Sequence, residues 1–330
     1  MARQMKQWER VRAALKGQDV DSVPVSMWRH FFSEETSAES LAEAMLGFQS
    51  QFDWDFMKVN PRASYHVEDW GVRLKYNGDN PPTVIETPVR SANDWLKVGL
   101  LNINQGVLGE HLTSLEIIAR RLKGEVPFIM TIFTPLSIAA RLVESEEIFL
   151  DHLRNYTNSI NSALEVITDT FTSFAKACLE RGASGLFYAT TNWATSDHLT
   201  EEEYRRFARP YDLKLLTALP PAEFNVLHVC HQNNLLRAVN DYPVHAFSWD
   251  PRGLGNPSLM EGKCLVNGRT VIGGIAQDTS LVESEPKKLT AEIFGMRVVM
   301  GEKGWMLGPG CTFPPDTPEA NIQAIRDAVN

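Results

Sequence analysis

Eight short, nearly continuous apolar runs, each parted from the next by a stretch with helical spacing, constrain this chain more than any other feature. They are Val23–Trp28, Asp55–Val59, Phe128–Phe133, Gly185–Thr190, Asn225–Cys230, Ala246–Asp250, Thr270–Ile275 and Trp305–Gly310. A strand with one wet face alternates polar and apolar residues. Most of these runs do not, so they are expected to be covered on both faces, as parallel strands are. Helical patterns fill the gaps at Glu34–Gln51, Glu110–Leu122, Glu146–Arg181, Thr200–Leu219, Pro286–Met300 and Asp316–Val329. Thr200 with Glu203 three residues later reads as a capping box. Pro286 and the Asp316–Glu319 segment read as helix starts. Eight β/α repeats in 330 residues predict an α/β protein, a single closed (β/α)8 TIM-type barrel over residues 1–330.

One connection is too long for a simple repeat. Residues 60–127 separate the second and third runs, and within them Trp70–Tyr76 and Thr83–Thr87 flank the turn-rich Asn77–Pro82. That is hairpin chemistry. An insertion after a barrel strand lands on the C-terminal face, where it is expected to cover the site. Glu68 and Asp69, beside this hairpin, read as a solvated pair.

The chemistry is expected at His228, Cys230 and Cys311. Residues two apart on a strand face the same side, so His228 and Cys230 project together. Both lie at the end of the fifth run, and Cys311 follows the eighth. Barrel active sites sit at the C-terminal ends of the strands. Those strands are not neighbours, so Cys311 has to lean inward, and the Gly308-Pro-Gly310 bend before it allows that. Any one of these residues alone is compatible with core packing. Together, one imidazole and two thiolates make a three-ligand zinc set with a position left open, as catalytic zinc requires. His231 points the opposite way if the strand continues. Cys178 and Cys264 read as packing or surface residues.

Four scattered cysteines are too few for a disulfide framework. The net charge of −9 argues against nucleic acid or an anionic membrane as the main partner. Met1–Arg10 is charged and lacks the apolar centre of a signal peptide, and no run approaches the roughly 20 apolar residues of a membrane span. A cytoplasmic protein is expected.

Four segments carry a family likeness. They are Val23-Pro-Val-Ser-Met-Trp-Arg29, Phe133-Thr-Pro-Leu-Ser137, the stretch from His198 to Tyr211, and the closing Gly308-Pro-Gly-Cys-Thr-Phe-Pro-Pro-Asp-Thr-Pro-Glu319. The chain resembles the uroporphyrinogen decarboxylase superfamily over nearly its whole length, which implies a distorted (β/α)8 barrel. True decarboxylases of that superfamily carry an arginine-rich loop after the first strand, an Asp after the second, a Tyr after the third and a His near the end. Here the loop reads Arg29-His-Phe-Phe32, the second region Val59-Asn-Pro61, the Tyr position is Arg141 and the closing motif is Gly308-Pro-Gly310. These departures argue against decarboxylation. The other branch comprises zinc methyltransferases acting on methylated corrinoids and thiols, with a His-x-Cys and a distant Cys as zinc ligands. The sequence matches that pattern at His228, Cys230 and Cys311.

The resemblance thus implies zinc as cofactor, a methylated corrinoid as donor, free or on a corrinoid protein, and a small thiol or pterin as acceptor. Arg29 and His30, after the first run, are expected to bind an anionic substrate group. Tyr188, Asn192, Gln277 and Asp278 follow other strands and are expected to orient substrate. Two other readings stay open: metal-free tetrapyrrole decarboxylation, and a barrel that binds a corrinoid or tetrapyrrole without catalysis. A homodimeric assembly is likewise left open.

Overall fold

The computed structural model describes residues 4–329. Its strands in chain order are β1 Met57–Val59, β2 Arg73–Asn77, β3 Asn80–Glu86, β4 Phe128–Phe133, β5 Gly185–Ala189, β6 Val226–His228, β7 Ala246–Ser248, β8 Thr270–Ile275 and β9 Trp305–Pro309. Seven of them form one parallel sheet in the order β1-β4-β5-β6-β7-β8-β9, a TIM-type arrangement, while β2 and β3 pair antiparallel by themselves.

The first apolar run, Val23–Trp28, forms no regular strand. It nonetheless lies between β9 and β1. Ser26 N donates to Leu307 O at 3.1 Å, Leu307 N to Pro24 O at 2.8 Å, and Asp55 N to Val25 O at 2.9 Å. Two features make the ladder irregular. Pro24 has no N–H to give, and Val25 N donates to the Asp55 carboxylate at 2.8 Å instead of to a backbone carbonyl.

Inside the sheet a compact cluster gathers Trp28, Phe56, Ile129, Phe187, Val226, Ala246, Ile272 and Met306. These residues share one parity along their strands, and the opposite parity packs under the helices. Burying each large side chain is worth about 1.5–3 kcal/mol, so the inward register is strongly fixed. The helix Gln7–Leu15, absent from the sequence expectation, joins this cluster through Val11 and Ala14.

The helices follow the expected pattern with shifted ends. The first begins at Ala38 rather than Glu34, because Ser37 caps it by accepting from Ser40 N. The long pattern over 146–181 is two helices, Glu146–Asn155 and Thr157–Glu180, broken at Tyr156. The Thr200 box is formed, with Glu203 N donating to Thr200 Oγ1 at 3.1 Å. That run is also split, into Glu201–Phe207 and Arg209–Thr217, where Pro210 cannot continue the hydrogen-bond ladder. The last helix is Glu319–Val329.

Glu68 and Asp69 are not a solvated pair. Both Asp69 oxygens accept from the first turn of the helix Gly106–Leu122, from Val107 N at 2.9 Å and Leu108 N at 3.0 Å. Glu68 lies 3.5 Å from Arg62 and accepts from the Tyr76 hydroxyl. Among the described residues no helix is long and apolar enough to cross a membrane.

Candidate metal centre

His228 closes β6, paired in register with Ala189 of β5 and Ser248 of β7. It shares the inward parity of Val226, and its ring stacks on Phe187 with centroids 4.9 Å apart. Cys230 follows two residues later on the same side, as strand alternation requires.

Cys311 reaches this face because of two glycines. A Cβ on Gly308 would sit 3.0 Å from Trp28 and 3.1 Å from Ile272. A Cβ on Gly310 would sit 2.5 Å from Gln277 Oε1 and 2.7 Å from Asp250 Cβ. The chain therefore passes between Asp250 and Gln277 at a distance only glycine permits. Gly310 N donates to Ile275 O at 2.8 Å, which fixes the exit from β9. The ligand atoms of His228, Cys230 and Cys311 all lie within 4.8 Å of one another. The two sulfurs are 3.4 Å apart, and all four cysteines are free.

The imidazole fits a metal ligand on its own evidence. His228 Nδ1 is 3.2 Å from Ser248 Oγ, while Nε2 is buried with no hydrogen-bond partner. A buried nitrogen left unpaired is costly, and coordination is what would satisfy it. Its other nitrogen is held by a hydroxyl, the arrangement that orients metal-bound histidines. A hydrogen bond from Cys230, helped by His228, holds the Cys311 thiol well below its usual range despite burial. Cys230 is pushed up by that same bond and by burial.

Lys58 was missed by the sequence reading. It is the middle residue of β1, registered on Ile129 of the interior cluster, and therefore points into the barrel. Burial pushes its amine down to about 7, against the raising effects of Cys311, Cys230 and Glu35. Its signal is visible in the run Asp55–Val59: Lys58 is the charged residue on the inward parity, while Asp55 has the outward one. Glu35 was also missed. Its buried carboxylate lies 2.5 Å from His30 Nδ1 and accepts from Phe31 N and Ala63 N, tying the loop after the first run to the loop after β1.

The proposed substrate contacts divide. Arg29 donates to Pro315 O at 2.6 Å and leaves its Nε unpartnered. With His30 and the hairpin tip Asp79–Asn80 it lines a cavity of about 490 Å³. Gln277 stands against Gly310 with its Oε1 buried and unpartnered. Tyr188 is turned away. Its neighbour Ala189 is the register partner of His228, so Tyr188 faces outward, where it donates to Asp212 Oδ1 at 2.9 Å. Tyr204 and Tyr242 donate to the other Asp212 oxygen, and burial pushes that carboxyl up to about 6. Asn192 is held by Glu146, and Asp278 is exposed. His231 adopts φ 76° and its ring lies 3.8 Å from Asp197, outside the ligand group. Cys178 is buried and Cys264 exposed.

The uroporphyrinogen decarboxylase (URO-D) family profile matches residues 6–330. A methylcobamide:CoM methyltransferase, MtbA of Methanosarcina acetivorans, is 24% identical over 340 residues, covering 96% of this chain and 95% of that protein. A uroporphyrinogen decarboxylase of Syntrophotalea carbinolica is 29% identical over 278 residues, covering 80% of this chain and 76% of that protein. Among solved structures, a methyltransferase from Methanosarcina mazei superposes with a TM-score of 0.85 at 22% identity, covering 98% of both chains.

Proposed function

The chain belongs to the uroporphyrinogen decarboxylase family, and from that premise we propose that it is a zinc-dependent methyltransferase. It moves a methyl group from a methylated corrinoid to a small thiol, coenzyme M or a relative of it. Overall identity does not decide between the two chemistries of its relatives, so the site must. The observation that carries the reading is the meeting of His228, Cys230 and Cys311 with His228 Nε2 unpaired. Zinc at such a set would lower the pKa of a thiol at its open position, supplying a thiolate at neutral pH.

The chain's own residues do the rest. Ser248 fixes the His228 ring, and Phe187 packs flat against it. Gly310 lets the Cys311 loop close over Asp250 and Gln277. The cavity beside Arg29 and His30 takes an anionic group of the donor or acceptor. Gln277 offers an unpaired carbonyl to a bound donor group. The hairpin Arg73–Glu86 belongs to this single barrel domain as a cover for the mouth, since its tip lines that cavity. Tyr188, Asn192 and Asp278 are not retained as substrate contacts.

The deciding experiment pairs metal analysis with turnover. Protein purified without chelator should hold about one zinc per chain and demethylate methylcobalamin in the presence of a thiol. Metal-free protein that releases carbon dioxide from uroporphyrinogen would replace this reading with the decarboxylase one.

A further inference from the structure

Lys58 is a buried amine with no carboxylate in contact with it. Its Nζ donates to Asn60 Oδ1 at 2.6 Å. An ammonium has three donors, and among the described residues no carboxylate lies within ion-pair distance of it. Aromatic faces surround it instead: the Phe187 ring at 4.9 Å and the Trp28 ring at 6.0 Å. Phe187 also stacks on His228, so the amine and a candidate metal ligand share one aromatic neighbour. The groups whose charge bears on Lys58 are the Cys311 and Cys230 sulfurs, followed by Glu35. Burying an unpaired charge is expensive, so a lysine kept inside a barrel points to a charge that arrives with a ligand.

Two thiolates and a neutral imidazole neutralise a zinc dication. An anionic fourth ligand would leave one uncompensated negative charge at the site. We infer that Lys58 is the counter-charge for that ligand, the residue that makes the site select a thiolate over a neutral donor. The inference rests on the zinc reading above and adds a residue outside the coordination sphere. Lys58 is a positioning residue, acting through the field it sets up at the metal.

The test is calorimetric titration of the zinc-loaded full chain with two probes, β-mercaptoethanol and imidazole. The first binds as an anion and carries no other charge; the second binds neutral. Lys58→Met should retain zinc and bind imidazole as the wild type does. Its affinity for β-mercaptoethanol near neutral pH should fall by about tenfold or more, as expected from removing a nearby charge at intermediate dielectric. Lys58→Gln serves for the same comparison where Lys58→Met does not fold. Unchanged thiol affinity overturns the inference while leaving the zinc reading intact. Equal weakening of both probes also overturns it, since that is the result of a merely structural role. Wild type that holds no zinc overturns the functional reading, and the inference with it.

Discussion

The Sγ atoms of Cys230 and Cys311 lie 3.4 Å apart although 81 residues separate them in the chain. Their strands, β6 and β9, are not neighbours in the sheet. Strand geometry alone does not bring them together. The exit from β9 does, because it threads past Asp250 and Gln277 where no side chain fits.

Metal content should follow the ligand set. Cys230→Ser, Cys311→Ser and His228→Ala should each lower bound zinc sharply, since three protein ligands are the minimum for a tight open site. Cys178→Ser, buried in the helix Thr157–Glu180, should leave it unchanged. Elemental analysis of the four variants checks this. The same zinc content in all of them would show the ligands to be misassigned.

Gly310→Ala tests the threading. Its methyl group would press on the Asp250 Cβ and the Gln277 amide, so the loop must shift and Cys311 with it. Ligand geometry tolerates only a few tenths of an ångström. Zinc affinity should fall by about tenfold or more while the fold survives, because second-shell faults cost that much. Zinc binding equal to the wild type would mean that the loop has slack.

The parallel strand order and the meeting of His228, Cys230 and Cys311 are legible in the sequence for physical reasons. Parallel strands buried on both faces leave uninterrupted apolar runs, and seven of the eight runs became sheet strands. Strand parity and the C-terminal-face rule then put His228 and Cys230 together without tertiary knowledge. Elsewhere position at a strand end and strand parity disagree. Tyr188 sits at a strand end, so position alone suggested the mouth, yet the register of Ala189 on His228 turns it outward. Lys58 obeys the same parity and was overlooked because its run otherwise reads as plain core. The irregular first strand depends on the Asp55 side chain reaching Val25, a contact across 30 residues that no local pattern shows.

The Asp212 cluster should appear in stability rather than catalysis. Tyr188→Phe removes one hydrogen bond to a buried carboxyl and should cost about 1–2 kcal/mol with activity kept. The pH dependence has a definite sign. The carboxyl's folded value, about 6, lies above its unfolded 3.8, with burial as the main cause. Its contribution is therefore full below 3.8 and lost as pH rises through 6. Relative to Asp212→Asn, the wild type should lose on the order of 2–3 kcal/mol between pH 4 and 7. Denaturant midpoints of both proteins across that range decide it. A constant difference would contradict the assignment.

Uroporphyrinogen should be a poor substrate. It carries many carboxylates and needs several cations, yet the loop after the first run, Arg29-His-Phe-Phe32, offers two basic residues, Arg29 and His30. An anaerobic assay should yield little or no coproporphyrinogen. Turnover at the rate of a true decarboxylase would reverse the assignment.

Methyl transfer should need all three ligands at once. Removing Cys311 takes away one negative charge and one corner of the site, so the metal's charge and its orientation change together. With methylcobalamin and a panel of small thiols, the wild type should show loss of the cobalt–methyl absorbance, and Cys311→Ala should not, a drop of about a hundredfold or more. The panel matters because the proposal names a class of small thiols, so one inactive thiol does not settle the outcome. Two results would be decisive against the mechanism. One is full activity after zinc has been stripped. The other is Cys311→Ala that keeps both its metal and its rate, which would place the open position, and the chemistry, somewhere other than between His228, Cys230 and Cys311.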